Sequence, residues 1–232
     1  MSLSDKIDIV VVNNNNNGKI QECVKSIKQY TDNYKLIVVD TASYDGSKEW
    51  LSESNISQHL ILNKAKVNLA RARNQALKVG NSDWVALISV DMIINDRLWL
   101  DKMWNYTIDR NIGLIEAGVK FRATTSVIEK QKFAKLDFCM IRRECLNDVG
   151  KFDERVFDSQ DVDWLIKLEW SNWRTAYCYD ANILSRTQID RKEVFGNSMI
   201  NDKYNQSFIQ KTLRENSERR NTKEIQLFNQ EG

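Results

Sequence analysis

The chain has 232 residues, 42% of them hydrophobic, with 34 Lys and Arg against 32 Asp and Glu. That length suits one domain with a sizeable core, or one domain plus a short extension. The near-balanced charge, with no basic stretch gathered along the chain, argues against a nucleic-acid partner.

Residues 7–12 are a β-branched run and predict a strand, which stops at the Asn tract 13–17. Ile20, Cys23, Val24 and Ile27 recur at helical spacing and predict an amphipathic helix over 19–30. Residues 36–39 predict a buried strand ending in Asp40, and the turn-rich stretch 41–47 leads into a helix through Ser52. A short strand follows at 60–62. A third helix is expected at 69–79, packing through Leu69, Ala72, Ala76, Leu77 and Val79. Residues 84–94 are an apolar run interrupted by one carboxylate, Asp91. A run of this kind fits a strand buried on both faces, the fourth in the series. Strands alternating with helices imply crossover units and a mostly parallel sheet.

Further on, Trp99, Leu100, Met103 and Trp104 space as a helix, and 112–121 reads as a strand. Residues 122–135 form a polar, basic loop, 133–141 a strand and 143–149 a short helix. A loop at 150–154 precedes a helix that opens at 158–161 and packs through Val162, Leu165 and Ile166. Trp99, Trp104, Trp164 and Trp173 supply either a flat platform for a ligand or core. In 191–230, Phe195, Met199, Phe208, Ile209 and Leu213 fall at roughly helical intervals. That tail reads as one or two helices, packed over the domain or serving as a dimerisation arm.

Proline is absent and glycine is scarce, at 8 residues, so tight turns fall to Asn and Asp, which tolerate left-handed backbone. Cys23, Cys139, Cys145 and Cys178 show no CxxC spacing. Together with the lack of a recognisable signal peptide, this fits a reduced, cytoplasmic protein. No apolar run is long enough to span a bilayer. The mixed charges of the tail leave room for a peripheral contact at the inner face of a membrane, though not for strong binding.

Two carboxylates, Asp40 and Asp91, close different strands on one edge of the expected sheet, and the Asn tract closes a third. In open α/β sheets, ligands bind beyond the carboxyl ends of the strands. The convergence therefore points to a polar ligand, while each Asp taken alone also suits a cap or turn. Neither GxGxxG nor GxxxxGK[ST] occurs, which removes the usual dinucleotide and Walker readings.

Four stretches carry a family resemblance. Ile37-Val38-Val39-Asp40-Thr41-Ala42-Ser43-Tyr44-Asp45-Gly46-Ser47 resembles the VVDNGSTDGT signature of family 2 glycosyltransferases with the GT-A fold. Asn68-Leu69-Ala70-Arg71-Ala72-Arg73-Asn74 resembles that family's GxxxARN helix start. Ile88-Ser89-Val90-Asp91 resembles its Asp-X-Asp strand end. Gly150-Lys151-Phe152-Asp153-Glu154 with Gln160-Asp161-Val162-Asp163 resembles its GGFDE and EDVD pair.

The resemblance implies a GT-A-like α/β fold, with a mostly parallel central sheet flanked by helices and a C-terminal helical extension. It divides the chain into a catalytic domain at 5–190 (nucleotide-binding half 5–95, acceptor half 96–190) and the extension at 191–230. It implies transfer of a hexose from a nucleoside-diphosphate sugar, a UDP-sugar foremost, to a glycan or polysaccharide-precursor acceptor, with inversion. Asn13 and Asp40 would face the base or ribose, and Asp45 would either join them or build its turn. Arg71 or Arg73 would approach the diphosphate, unless they form a solvated helix face. Asp161 would take the proton from the acceptor hydroxyl.

Asp91 would hold Mg2+ or Mn2+, but weakly, because Ser89 stands where the family usually has a second carboxylate. The stretch Ile183-Leu184-Ser185-Arg186-Thr187 also lacks the family's late histidine. The metal is then weak or dispensable, with Arg186 supplying part of the missing positive charge. Two alternatives remain beside this reading. One is a catalytically weak or inactive homologue that binds nucleotide sugar or glycan, and the other is a nucleotidyltransferase.

Overall fold

A computed structural model describes residues 7–186 apart from residues 33, 63–67, 122–135 and 157–158. The expected 122–135 loop, the first residues of the strand expected from 133, and the 191–230 extension lie outside the described residues.

The first half alternates as the apolar periodicity predicts. β1 (Ile7–Asn13), β2 (Lys35–Asp40), β3 (Gln58–Ile61) and β4 (Trp84–Ser89) run parallel. They are joined through α1 (Asn17–Tyr30), α2 (Ser47–Glu53) and α3 (Leu69–Val79). The apolar run from Trp84 is two strands, because the chain turns at Val90 and Asp91. The continuation, β5 (Met92–Ile94), leaves its predecessor for the far edge of the sheet.

α4 (Trp99–Trp104), β6 (Ile112–Phe121), β7 (Phe138–Arg142), α5 (Arg143–Val149), α6 (Gln160–Glu169) and β8 (Arg174–Ser185) complete the described fold. The sheet order is β3-β2-β1-β4-β7-β6-β8-β5. Antiparallel pairing enters only in the second half, where β7 runs against β4 and β6, and β5 against β8. β8 is a strand that the periodicity does not announce.

Side chains alternate along each strand, so the sheet has two packed faces. One face gathers Ile9, Val11, Val38 and Ile88 under α1 and α4. The other gathers Val10, Val39 and Leu87 under α3, α5 and α6. Burying a side chain of this size contributes about 1.5–3 kcal/mol. Both faces are covered, which explains why the central strands read as unbroken apolar runs.

α3 departs from its apolar prediction. Leu69 is exposed, while Arg73 and Asn74 are buried. Buried polar groups need partners, and the partners of these two belong to the candidate site.

Candidate functional site at the carboxyl edge of the sheet

Parallel register brings the strand ends together. Asn13 lies opposite Asp40, and Val12 lies opposite Ser89. Asp40 is wholly buried and both its oxygens are engaged. Asn13 Nδ2 donates to Oδ2 at 2.8 Å, and the Ser43 amide donates to Oδ1 at 2.8 Å. Asn13 Nδ2 also reaches Ser43 Oγ at 3.2 Å, and the Asn15 amide donates to that same oxygen at 2.9 Å. A buried carboxylate left without donors would cost several kcal/mol, so this mesh is what allows Asp40 to sit at the strand end.

Asp45 closes the second half of the loop. It accepts from the Asn17 amide at 2.7 Å and the Ser47 amide at 3.1 Å, the first residues of α1 and α2. Burial works against its charge, but the hydrogen bonds from Ser47 and Asn17 outweigh that and hold its carboxyl below the usual range. Asp40 and Asp45 therefore build the loop, Asp40 wholly buried and Asp45 part-exposed. Tyr44 between them is 77% exposed, at the loop's outer surface.

Asp91 follows β4 and is partly exposed. Lys19 Nζ, from the first turn of α1, sits 2.7 Å from Asp91 Oδ1. The Arg186 amide donates to the Asp91 carbonyl at 3.0 Å, and its guanidinium pairs with Glu22 of α1. The proximity of Arg186 to Asp91 follows from the β5–β8 pairing, where Met92 lies opposite Ser185. Cys23 beside them is pushed up to about 12, first by burial and then by the charge of Asp91.

Asp91 offers a divalent cation a single carboxylate, with the Lys19 ammonium beside it as competitor. Mg2+ demands near-octahedral oxygen coordination. Asp91 is the one carboxylate in the Ser89-Val90-Asp91 turn, and an ammonium already occupies it. Among the described residues, no group of three or more His, Cys, Asp or Glu could hold a metal ion. His59 is on β3 opposite Val38, and burial lowers its proton affinity against the opposing charge of Asp40.

Asp161 is the second residue of α6, whose N-cap Ser159 has left-handed backbone at φ 60°. Its Oδ1 accepts from Arg73 Nη1, and its Oδ2 accepts from the Leu136 amide at 3.3 Å. The next residue, Asp137, accepts from the Ser89 amide at 2.7 Å. Asp161 is thus tied through two backbone links to the residue that ends β4.

Arg73 is 5% exposed, donates to the Leu136 carbonyl at 3.3 Å, and lies 5.2 Å above the Phe152 ring. It is a fixed partner of Asp161. Arg71, two residues earlier and on the other side of the helix, is exposed. Asn74 donates to the Phe152 carbonyl and to Glu154 Oε1, both at 3.0 Å. The helix of the second motif thereby clasps the loop of the last one.

The structure thus gathers Asn13, Asp40 and Asp45 at the adjoining ends of β1 and β2, Asp91 with Arg186 in a second cluster, and Arg73 with Asp161 in a third. Two features of the candidate site escape the sequence reading. Lys19 carries no motif, only its place as a cation two residues after the Asn tract. The pairing of Arg73 with Asp161 spans 88 positions. Trp99 and Trp164 are wholly buried, so they are core and not platform. A cavity of about 640 Å³, lined by Trp84, Trp104, Arg142 and Arg143, opens at the start of β4, the end opposite Asp91.

A parallel sheet edge with paired loops after β1 and β2, a carboxylate after β4 and another at the start of α6 defines a GT-A fold. The family model for Glycosyl transferase family 2 matches residues 8–156, and the chain belongs to that family. The glycosyltransferase AglE of Haloferax volcanii is 20% identical over 197 residues, covering 75% of this chain and 64% of that protein.

The structure of S. aureus TarS 1–349 in complex with UDP-GlcNAc is similar, with a TM-score of 0.68 at 16% identity. That match covers 91% of this chain and 71% of the TarS chain. The mannosyltransferase PcManGT of Pyrobaculum calidifontis, in complex with GDP-Man and Mn2+, gives a TM-score of 0.61 at 16% identity. That match covers 82% of this chain and 59% of the other. The chain therefore spans less than two thirds of the length of AglE and of PcManGT.

Proposed function

We propose that the chain transfers a hexose from a nucleoside-diphosphate sugar, a UDP-sugar foremost, to a hydroxyl of a glycan or polysaccharide-precursor acceptor, with inversion. Family membership supports the transferase class. The position of Asp161 carries the mechanism: a part-exposed carboxylate, held by Arg73 and linked through Leu136 and Asp137 to the strand end at Ser89. A general base has to be fixed within hydrogen-bond reach of the proton it removes.

In this mechanism Asp161 takes the acceptor proton as the hydroxyl oxygen attacks the anomeric carbon. The bond to the diphosphate breaks on the opposite face, and its electrons leave on the phosphate oxygen. Arg73, buried against Phe152, keeps the carboxylate aimed while that happens. The loop organised by Asn13, Asp40 and Asp45 lines the base and ribose, and exposed Arg71 is the arginine placed to meet the diphosphate. Negative charge on the leaving group has to be met by fixed cations near Asp91. A cytoplasmic setting, at the inner face of a membrane, suits a polysaccharide-precursor acceptor. Among the described residues, no helix is long and apolar enough to cross a membrane.

Replacement of Asp by Ser at position 89 favours a second reading, a homologue that binds nucleotide sugar without turning it over. Release of nucleoside diphosphate from donor plus acceptor separates the two. Asp161→Asn is expected to lower turnover by about 10²–10⁴, the contribution of a positioned base, while donor affinity stays within error. Turnover by Asp161→Asn at the wild-type rate would remove the mechanism.

A further inference from the structure

The cluster behind Asp91 carries an inference that rests on the donor reading above. We infer that Lys19 takes the place of the divalent cation, so that the nucleoside diphosphate binds without metal. Its ammonium, seated on Asp91, neutralises the diphosphate as it arrives and as it leaves.

Three observations converge on Lys19. Position 89 is Ser, so the turn after β4 offers one carboxylate, the fewest with which Mg2+ is held beside substrate phosphates. That carboxylate has an ammonium 2.7 Å from Oδ1. Among the described residues, two ion pairs stand here, Lys19 with Asp91 and Arg186 with Glu22, so each carboxylate already has a cation. A metal entering here would have to displace Lys19 from Asp91 and would sit beside two cations. A diphosphate entering here meets two cations and the amino end of α1, whose first turn has no acidic residue.

Arg186 and Lys19 then have different parts. Arg186 is tethered by its own backbone to the Asp91 carbonyl and by its guanidinium to Glu22. Lys19 hangs on a flexible stem with about a third of its side chain exposed. A point charge on a mobile stem can follow a phosphate group, so Lys19 is the residue able to shift from Asp91 to the ligand.

The test is calorimetric titration of the whole chain with UDP, GDP and dTDP, in EDTA and in Mn2+, paired with electron paramagnetic resonance of Mn2+ bound to the protein alone. The expected result is one diphosphate bound with the same affinity in both buffers, and no protein-bound Mn2+ signal. Lys19→Met is expected to weaken binding in EDTA by roughly ten- to a hundredfold, the range for a hydrogen bond to a charged group. It should also admit Mn2+ at the freed Asp91 and recover part of the lost affinity. A residue that only supported the fold would not exchange metal dependence for affinity. Lys19→Arg, which keeps the charge, should bind in EDTA.

Binding that appears only with Mn2+, or Lys19→Met binding as tightly as wild type in EDTA, would overturn the inference and leave the donor reading standing. Absence of binding by all three diphosphates in both buffers would remove the donor reading, and this inference with it.

Discussion

Ala42 sits in the loop after β2 with φ +57°, a left-handed conformation that costs an L-residue with a Cβ about 1–2 kcal/mol. The signature that this loop resembles has Gly there, and Gly adopts such backbone freely. The mesh of Asn13, Asp40 and Ser43 on either side holds Ala42 in place despite the cost. Ala42→Gly is therefore expected to stabilise the chain by about 1 kcal/mol, since lost strain exceeds the added freedom of the unfolded chain. For a chain of this size that is a rise in melting temperature of about 2–4 °C. A fall on scanning calorimetry would mean that the loop draws no strain from Ala42. The same loop marks what a residue-level reading captures. Asp40, Asp45, Asp91 and Asp161 are legible because each sits in a short motif. The engagement of Asp40 and Asp45 by neighbouring amides is not legible, and neither is the hold of Arg73 on Asp161. Those facts depend on which donors the fold delivers from other strands.

At the scale of elements, the legible ones are those whose burial is two-sided or whose apolar face repeats cleanly. The predicted helix at 69–79 and the short helix at 143–149 match α3 and α5. β8 is different. Its twelve residues, from Arg174 to Ser185, mix charge with apolar positions and alternate poorly. Its register against β6 slips between Ala117 and Val119, so no single period runs its length. Gly118 lies at that slip. A Cβ added there would meet the Tyr179 carbonyl oxygen at 2.5 Å and its Cα at 2.9 Å. Backbone atoms of a paired strand cannot yield as a side chain tip can. Gly118→Ala should then cost about 1–3 kcal/mol, the range for overpacking in a close-packed interior. Gly18→Ala is the matched control, because nothing lies within 4 Å of the added Cβ in α1. It should be neutral or stabilising, since Ala is the better helix former. Chemical denaturation of the two variants reads the contrast. Equal stability of both would show that β6 and β8 do not pack this closely in solution.

Across the whole molecule, the four thiols divide between the two faces of the sheet, Cys23 and Cys178 on one and Cys139 and Cys145 on the other. Burial pushes Cys23, Cys145 and Cys178 from the ordinary 9.0 up to about 12, and raises Cys139 well above it. A raised thiol means that the native chain keeps a proton which the unfolded chain gives up. Below the ordinary value both states hold that proton, and the stability from burying a neutral thiol is fully present. Above it the unfolded chain binds fewer protons than the native one, so stability falls as pH rises toward about 12. Each such thiol withdraws about 1.4 kcal/mol for a full pH unit in that window. Because the thiols lie in both layers of one sheet, the loss belongs to the cooperative unfolding of the domain and not to one fraying edge. Urea unfolding measured from about pH 8 upward should give a flat stability to about pH 9 and a steep decline above it. Cys23→Ala removes one proton from the balance, so its decline should be shallower by one thiol's share whatever the variant's own stability at neutral pH. A parallel slope for Cys23→Ala and wild type would show that Cys23 ionises as freely in the native chain as in the unfolded one, and that α1 does not seal it beside Asp91.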